Sequence, residues 1–200
     1  GMLGAINTIG SIIGTFLPTF VTIPAVGTSV TFLIFSGILL ILGMIYFINT
    51  KAKKVQCIIS AILFIFCSVF GSSDSFAFWE KNLLYEGESI YNYLQVKDTN
   101  DSVILSTNVL FGVQSIMKKD NSLTGMYYDY ALAAPVMSGI HKKKNAKILV
   151  LGMGTGTYAK QCQKYFPNVS IEGVEIDQKI TNLASKYFKL PNTIKVNTYD

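Results

Sequence analysis

The sequence predicts a transmembrane α-helical region followed by an α/β domain with a parallel sheet, and a small antiparallel β layer precedes that sheet. Three observations predict this fold class. Residues 1–71 contain no Asp, Glu or Arg, and their only charged residues are three lysines. After residue 146, apolar runs of strand length alternate with segments of helical period. A glycine-rich turn, Gly152 to Gly156, joins the first of these strands to the next helix.

The uncharged segment is long enough for about three transmembrane helices, because one span needs about 20 apolar residues. We expect spans at Met2–Pro24, Ser29–Ile48 and Val55–Gly71, with a turn at Ala25–Thr28 between the first two. Backbone groups in lipid must be bonded internally, so all three spans should be helices.

The first span has an unusual face for a helix that meets only lipid. Gly10 and Gly14 form a GxxxG step, a spacing that lets two helices approach closely. We therefore expect this face to pack against further helices, so that the chain is a fragment of a larger bundle. A substrate-lining helix of a transporter is the alternative interpretation.

The loop lysines at 51, 53 and 54 bear on the orientation of the chain. The positive-inside rule places them in the cytoplasm, and a complete third span would then put the following domain outside. We nevertheless expect a multi-pass protein of the cell membrane whose C-terminal domain faces the cytoplasm. The reason is the chemistry of the glycine turn described below, which needs a ligand from the cytoplasm.

The net charge of +5 does not indicate nucleic-acid binding. The basic runs are short, contain lysine and no arginine, and have no aromatic stacking platform beside them. A protein that faces anionic lipid explains the same excess of positive charge. The three cysteines lack metal-ligand spacing, so no metal site is expected.

The segment after the spans divides into a polar linker, residues 72–84, and an N-terminal β-hairpin region, residues 85–140. Alternation of apolar and polar residues, and the turn residues between the runs, define its elements. The expected elements are strands at Ser89–Val96, Val103–Leu105 and Asn108–Ser115 and a helix at Tyr127–Met137.

Residues 141–200 show the alternation of strand and helix that is typical of a parallel sheet with right-handed crossovers. This stretch is expected to be the first part of a nucleotide-binding Rossmann-like domain. The expected elements are strands at Lys147–Leu151, Val169–Glu175 and Thr193–Asn197 and helices at Thr157–Tyr165 and Gln178–Phe188.

The glycine turn supplies the most specific motif. Its glycines permit a tight turn and a close approach of a nucleotide, and Glu175 at the end of the next strand can accept both hydrogen bonds of a ribose diol. The GxGxG form of Gly152, Gly154 and Gly156 resembles motif I of the S-adenosylmethionine-type methyltransferase fold, which predicts a methyltransferase-like Rossmann domain. Asp200 matches the residue that meets the adenine amino group in that fold.

Residues from about Tyr85 to Asp200 further resemble the spermidine synthase (aminopropyltransferase) family. Glu88–Asn92 looks like the S-x-Y-Q entry into the family's N-terminal hairpin, and Val174–Asp177 matches its V-E-I-D acid loop. Gln114, the Tyr127–Tyr130 run and Pro135 are similar to its Gln, Tyr-x-Glu and Pro segment. Residues 1–71 look like the end of the membrane region in the fused, multi-helix members of that family.

This resemblance implies transfer of an aminopropyl group from decarboxylated S-adenosylmethionine to a diamine such as putrescine. It implies two sets of binding residues and a catalytic Asp that would lie beyond residue 200. The cofactor set is Gly152, Gly154, Thr155, Gly156, Glu175, Asp177, Asp200 and Asn92. The substrate set, near the amines, is Gln114, Tyr127 and Asp129.

Two residues depart from the family pattern. Thr155 replaces an Asp that binds the amine of the aminopropyl donor, and Asn92 replaces a Gln. Thr155 favours an alternative, an S-adenosylmethionine-dependent methyltransferase. A third interpretation is a membrane sensor or transporter with a non-catalytic nucleotide-binding domain. The expected partners are the polyamine substrate and the lipid bilayer, and a homo-oligomer is left open.

Overall fold

The structure is a computed structural model that describes residues 1–49, 54–70, 75–107 and 112–199. The chain divides into two compact units, Gly1–Phe78 and Trp79–Asp200. The first unit contains the apolar segment, and the second contains both predicted sheets.

The first unit consists of helices. Their bounds are α1 Met2–Leu17, a π-helical segment Pro18–Thr22, α2 Ile23–Asn49 and α3 Lys54–Phe70. The first three follow one another without an intervening loop, and Gly27, with φ 82° and ψ 171°, interrupts α2. This break falls within the predicted turn Ala25–Thr28.

Among the described residues, one helical stretch, Met2–Ile48, is long and apolar enough to cross a membrane, as judged by length and composition. Its most apolar window has a mean hydropathy of 2.5, and 6% of that window is buried within the protein. α3 is a shorter apolar helix of 17 residues. The three predicted spans thus correspond to one stretch interrupted at Gly27 and one shorter helix.

Several hydroxyl groups of these helices are bonded to carbonyls of the helices themselves. Thr8, Ser11 and Thr15 donate to the carbonyl four residues earlier at 2.8–3.0 Å. Thr31 does the same with Gly27 at 2.7 Å. Such bonds reduce the cost of a hydroxyl in an apolar medium because no donor is left unpaired.

The second unit begins with an antiparallel sheet in which neighbouring strands are consecutive in sequence, β1-β2-β3-β4. The strands are β1 Leu83–Glu88, β2 Tyr93–Asp98, β3 Ser102–Ser106 and β4 Ser115–Lys118. The predicted strand at Val103–Leu105 is confirmed, whereas the boundaries of the other two were wrong.

The predicted strand Ser89–Val96 is wrong in its first half, because Ser89–Asn92 form the hairpin turn between β1 and β2. The hydroxyl of Ser89 accepts hydrogen bonds from the backbone N–H groups of Tyr91 and Asn92, at 3.1 and 2.9 Å. A serine that bonds its own following backbone favours a turn over a strand. β1 accordingly begins at Leu83, which the sequence placed in the linker.

The third predicted strand, Asn108–Ser115, is displaced. Residues 108–111 lie outside the described residues, residues 112–114 are not in a strand, and pairing with β3 begins at Ser115. The predicted helix Tyr127–Met137 is present as two short helices, α4 Tyr127–Ala131 and α5 Ala133–Met137. Gly139 follows them in the left-handed region, with φ 67°.

The parallel sheet has the order β5-β6-β7 and confirms the predicted alternation of strand and helix. Its elements are β5 Ala146–Leu151, α6 Thr157–Tyr165, β6 Val169–Glu175, α7 Gln178–Tyr187 and β7 Lys195–Thr198. Helices of this length between parallel strands form the crossovers that the topology requires.

Two apolar clusters hold this unit together. One joins the antiparallel sheet to α7, and its members are Leu94, Val96, Val103, Leu105, Met117, Ile180, Leu183 and Phe188. The other joins α6 to the parallel sheet around Met153, Ala159, Cys162, Ile171 and Ile194. α7 begins at the carboxyl end of β6 and packs in the first cluster. The antiparallel sheet is therefore held near the carboxyl ends of the parallel strands.

Candidate functional site

The glycine turn connects β5 to α6 and takes a left-handed path. Gly152, Gly154 and Gly156 have φ angles of 70°, 59° and 84°. Only glycine adopts this region without strain. The GxGxG spacing, which predicted a ligand-binding turn, therefore also reflects three backbone positions that favour glycine.

The three glycines differ in what surrounds them. A Cβ atom on Gly154 would lie 2.6 Å from the hydroxyl oxygen of Ser115, and one on Gly156 would lie 2.5 Å from Leu190. A Cβ on Gly152 would meet nothing within 4 Å. Gly154 and Gly156 thus face protein, whereas Gly152 faces open space where a ligand can approach.

Every backbone N–H group of the turn already has an acceptor within the protein. Gly152 and Met153 both donate to the carbonyl of Val174 at 3.0 Å, and Gly156 donates to Met153 at 3.1 Å. Gly154 donates to Glu175 at 2.7 Å, and Thr155 donates to Ser115 at 3.1 Å. A phosphate-binding turn presents free N–H donors, so this turn suits a nucleoside without phosphate groups.

Glu175 lies at the end of β6 and is 6% exposed. Its Oε2 accepts the Gly154 N–H at 2.7 Å, and its Oε1 accepts the Asp177 N–H at 3.1 Å. A carboxylate has about four acceptor positions, so two remain for hydroxyl donors. These two bonds hold the carboxylate against the glycine turn at Gly154.

Asp177 caps the first turn of α7 and is 2% exposed. Its Oδ1 accepts the Lys179 N–H at 2.9 Å. Its Oδ2 is buried and has no hydrogen-bond partner among the residues that the structure describes. The pKa of Tyr85 is raised by burial and, less strongly, by the charge of Asp177, which places this tyrosine of β1 near the carboxylate. A buried acceptor without a partner is rare in proteins and suits a ligand that donates to it.

Thr155 is fully buried, and its hydroxyl has no hydrogen-bond partner. Its backbone is held by Ser115, the first residue of β4. Sequence reasoning missed Ser115, because a serine at the start of a short strand carries no motif. The bonds between Thr157 and Ile116, at 2.9 and 3.1 Å, complete the junction between β4 and the start of α6.

Asn92 lies in the β1–β2 turn and is half-buried. The ammonium group of Lys179 donates to the carbonyl of Glu88, which joins this hairpin end to the first turn of α7. The structure thus brings Asn92 to the same end of α7 as Asp177. Asp200, the remaining predicted cofactor residue, lies outside the described residues.

The predicted substrate residues form a neighbouring segment. The hydroxyl of Tyr128 donates to the carbonyl of Gln114 at 2.6 Å, while the Gln114 side chain is exposed. Tyr127 is 61% exposed, and its ring centroid lies 4.0 Å from that of Tyr128. Tyr127 and Gln114 therefore present free surface to a ligand.

The carboxylate of Asp129 accepts four hydrogen bonds from the protein itself. Its Oδ1 accepts from the backbone N–H and hydroxyl of Thr124 and from the Gln161 amide, at 3.1, 2.8 and 2.6 Å. Its Oδ2 accepts the Gly125 N–H at 2.6 Å. Burial alone would raise the pKa of Asp129, but these hydrogen bonds lower it below its ordinary value. The predicted contact of Asp129 with an amine stays a prediction.

A glycine turn after the first parallel strand, with a carboxylate at the end of the second, is the arrangement of a Rossmann-like domain. No family model matches the chain. The chain is 60% identical over 158 residues to a probable polyamine aminopropyl transferase of Bifidobacterium longum, a match that covers 78% of this chain and 34% of the relative. It is 32% identical over 91 residues to a polyamine aminopropyltransferase of Prochlorococcus marinus, covering 44% of this chain and 31% of the relative.

The predicted resemblance to the spermidine synthase (aminopropyltransferase) family is confirmed by these relatives. The chain spans about a third of the length of the curated relatives it matches. Among solved structures, a probable spermidine synthase from Corynebacterium glutamicum is 22% identical and has a TM-score of 0.48. That match covers 58% of this chain and 43% of the solved one.

Proposed function

We propose that this chain is part of a membrane-anchored aminopropyltransferase that binds decarboxylated S-adenosylmethionine and transfers its aminopropyl group to a diamine such as putrescine. The observation that carries the proposal is the glycine turn itself. Its N–H groups are all bonded within the protein, Gly152 faces open space, and Glu175 keeps two acceptor positions beside it. A phosphate-free nucleoside fits that arrangement. The similarity to a probable polyamine aminopropyl transferase supports aminopropyl transfer as the reaction class.

The residues present fit such a donor. Glu175 would accept the two ribose hydroxyls, and the buried Oδ2 of Asp177 would accept a further donor of the nucleoside. The bound sulfonium compound would supply an electrophilic carbon, whose bond to sulfur breaks as the amine attacks, so that the adenosyl part leaves as a neutral thioether. The attacking amine must first lose a proton to have a free lone pair. Tyr127 and Gln114 are the predicted substrate residues with exposed side chains, and the ring of Tyr127 can bind a cationic amine. Asp129 would position this segment through Thr124, Gly125 and Gln161.

A second candidate is a methyltransferase that uses intact S-adenosylmethionine. Thr155 favours it, because this side chain is fully buried and uncharged at the position where the family has an Asp. An ammonium group of the donor would find no charge partner there. A carboxylate of the intact donor would find no repulsion there.

Membrane anchoring is the second part of the proposal. It is supported by the length and exposure of the Met2–Ile48 stretch and by hydroxyl groups bonded within its helices. We expect the second unit to face the cytoplasm, where the donor is made. Extraction of membranes with alkaline carbonate should leave the chain in the pellet, and release into the supernatant would exclude integral anchoring.

The binding proposal is tested by calorimetry of the full chain in neutral detergent with decarboxylated and intact S-adenosylmethionine. Tighter binding of the decarboxylated form supports aminopropyl transfer, and tighter binding of the intact form supports methyl transfer. NADH serves as the control ligand, since its pyrophosphate needs free N–H donors that the turn does not offer.

A further inference from the structure

A cavity of about 380 Å³ lies between β4, α6 and the segment that follows α7, all within the second unit. Its walls include none of the predicted cofactor or substrate residues. Of the described residues that line it, four are lysines and none is an acid; the lysines are Lys118, Lys160, Lys164 and Lys189. We call it the lysine cavity.

The charges in the lysine cavity are largely uncompensated. Lys118 forms an ion pair with Asp101 at 2.6 Å. Within the part of the chain that the structure describes, Lys160, Lys164 and Lys189 form no ion pair. Burial, and the nearby charge of Lys189, lower the pKa of Lys160 to about 8. Cations that crowd one another in this way favour an anion between them.

Two of the ammonium groups are held in place with donors to spare. Lys160 donates to the carbonyl of Phe188 at 2.6 Å, and Lys164 donates to the carbonyl of Asn121 at 2.8 Å. An ammonium group has three donors, so each retains two for a ligand. Because both groups are fixed by backbone carbonyls, an anion would not have to order them itself.

The wall of the cavity also holds an acceptor without a partner. Gln161 is 8% exposed, and its amide nitrogen donates to Asp129 at 2.6 Å. Its Oε1 is buried and accepts no hydrogen bond from any residue in the described part of the chain. A ligand that suits both features carries a negative group for the lysines and a hydroxyl donor for Gln161.

We propose that the lysine cavity binds a small phosphate ester that carries free hydroxyl groups. Three ammonium groups are enough to neutralise a phosphate monoester, whose charge near neutral pH is about −1.5 to −2, and the cavity volume falls in the range of small-molecule sites. A cationic polyamine is repelled by the same lysines, so this site takes a ligand of the opposite charge to the proposed substrate.

The test is calorimetric titration of the full chain in neutral detergent with glycerol 3-phosphate, and with glycerol and propyl phosphate as control ligands. We expect glycerol 3-phosphate to bind, glycerol not to bind, and propyl phosphate to bind more weakly because it has no hydroxyl for Gln161. Higher salt should weaken the binding. Glycerophosphoglycerol represents a lipid headgroup, and tighter binding of it than of the monoester would support the site and identify the headgroup as the source.

Variants locate the binding in the cavity. Lys164→Gln and Lys189→Gln should each weaken the affinity about threefold to tenfold, since each removes a charged donor. Lys143→Gln removes the same charge from an exposed residue outside the cavity and should leave the affinity unchanged. Both cavity lysines are exposed, and an unchanged melting temperature confirms that the variants fold. Failure of every ester to bind, or an equal loss in all three variants, would overturn the proposal.

Discussion

Glu175 and Asp129 are both carboxylates at positions predicted to bind a ligand, yet the protein uses them differently. Glu175 accepts two backbone N–H groups, from Gly154 and Asp177, and keeps about two further acceptor positions next to the glycine turn. Asp129 accepts four hydrogen bonds from the 124–125 loop and from α6. A carboxylate at a motif position is available to a ligand only where the protein's own donors leave it unsaturated.

The largest expected effect is on stability at Asp129. Asp129→Ala leaves the donors of Thr124, Gly125 and Gln161 without their acceptor, and should lower the free energy of unfolding by about 2–4 kcal/mol. Denaturant unfolding of the full chain in detergent measures this loss in the free energy of unfolding. Asp120→Ala is the matched control, because Asp120 is an exposed loop carboxylate that accepts one N–H, from Ser122. Equal losses in the two variants would contradict the assignment of Asp129 as a positioning residue.

The contrast between the two sheets shows how far the sequence alone can lead. β5, α6 and β6 were predicted to within one residue, because β5 is an apolar run, β6 alternates apolar with polar residues, and α6 follows a glycine turn between them. β1 was missed because Leu83–Glu88 contains Gly87 and two acids, and its pairing with β2 depends on the Ser89 turn. Local periodicity does not encode such pairing.

The second expected effect is on ligand affinity at Glu175. Glu175→Gln should weaken binding of the adenosyl donor by about 1–3 kcal/mol, because an amide accepts the ribose hydroxyls through one oxygen only. Glu172→Gln is the control, since Glu172 lies on the same strand and bonds Asn197 and Lys195. Titration calorimetry checks both. An affinity that is unchanged in Glu175→Gln would rule out the ribose role.

The third effect separates backbone strain from ligand contact. Gly152 and Gly125 have nearly equal φ angles, 70° and 74°, and a Cβ would meet nothing within 4 Å at either. Changing either to Ala should therefore cost a similar amount of stability, about 1 kcal/mol. Gly152→Ala should in addition weaken donor binding, and Gly125→Ala should not. If both variants bind equally well, the open side of Gly152 does not face the ligand.

The smallest effect is a pH dependence from Asp129. Its pKa in the folded protein is lower than the ordinary value of 3.8, so its contribution to stability is present above that value and is lost as the pH falls below it. The difference in stability between the natural chain and Asp129→Asn should therefore shrink in acid. A difference that stays constant from pH 6 to pH 3 would show that the hydrogen bonds do not depend on the charge.

The candidate site was predictable only in part, for a physical reason. Glu175 and the three glycines follow from strand, turn and helix in sequence, and the fold places them together. The burial of Thr155 and the hydrogen bond from its N–H to Ser115 join residues 40 positions apart. Contacts of that kind depend on the packing of one sheet against the other, and no local pattern reports them.

Competition between the two adenosyl donors at the glycine turn tests the central claim most directly. The full chain in detergent is titrated with decarboxylated S-adenosylmethionine and with the intact compound, and Glu175→Gln is titrated beside it. We predict tighter binding of the decarboxylated donor and an affinity about fivefold or more lower in the variant. Tighter binding of the intact donor, or binding that Glu175→Gln leaves unchanged, would contradict the claim.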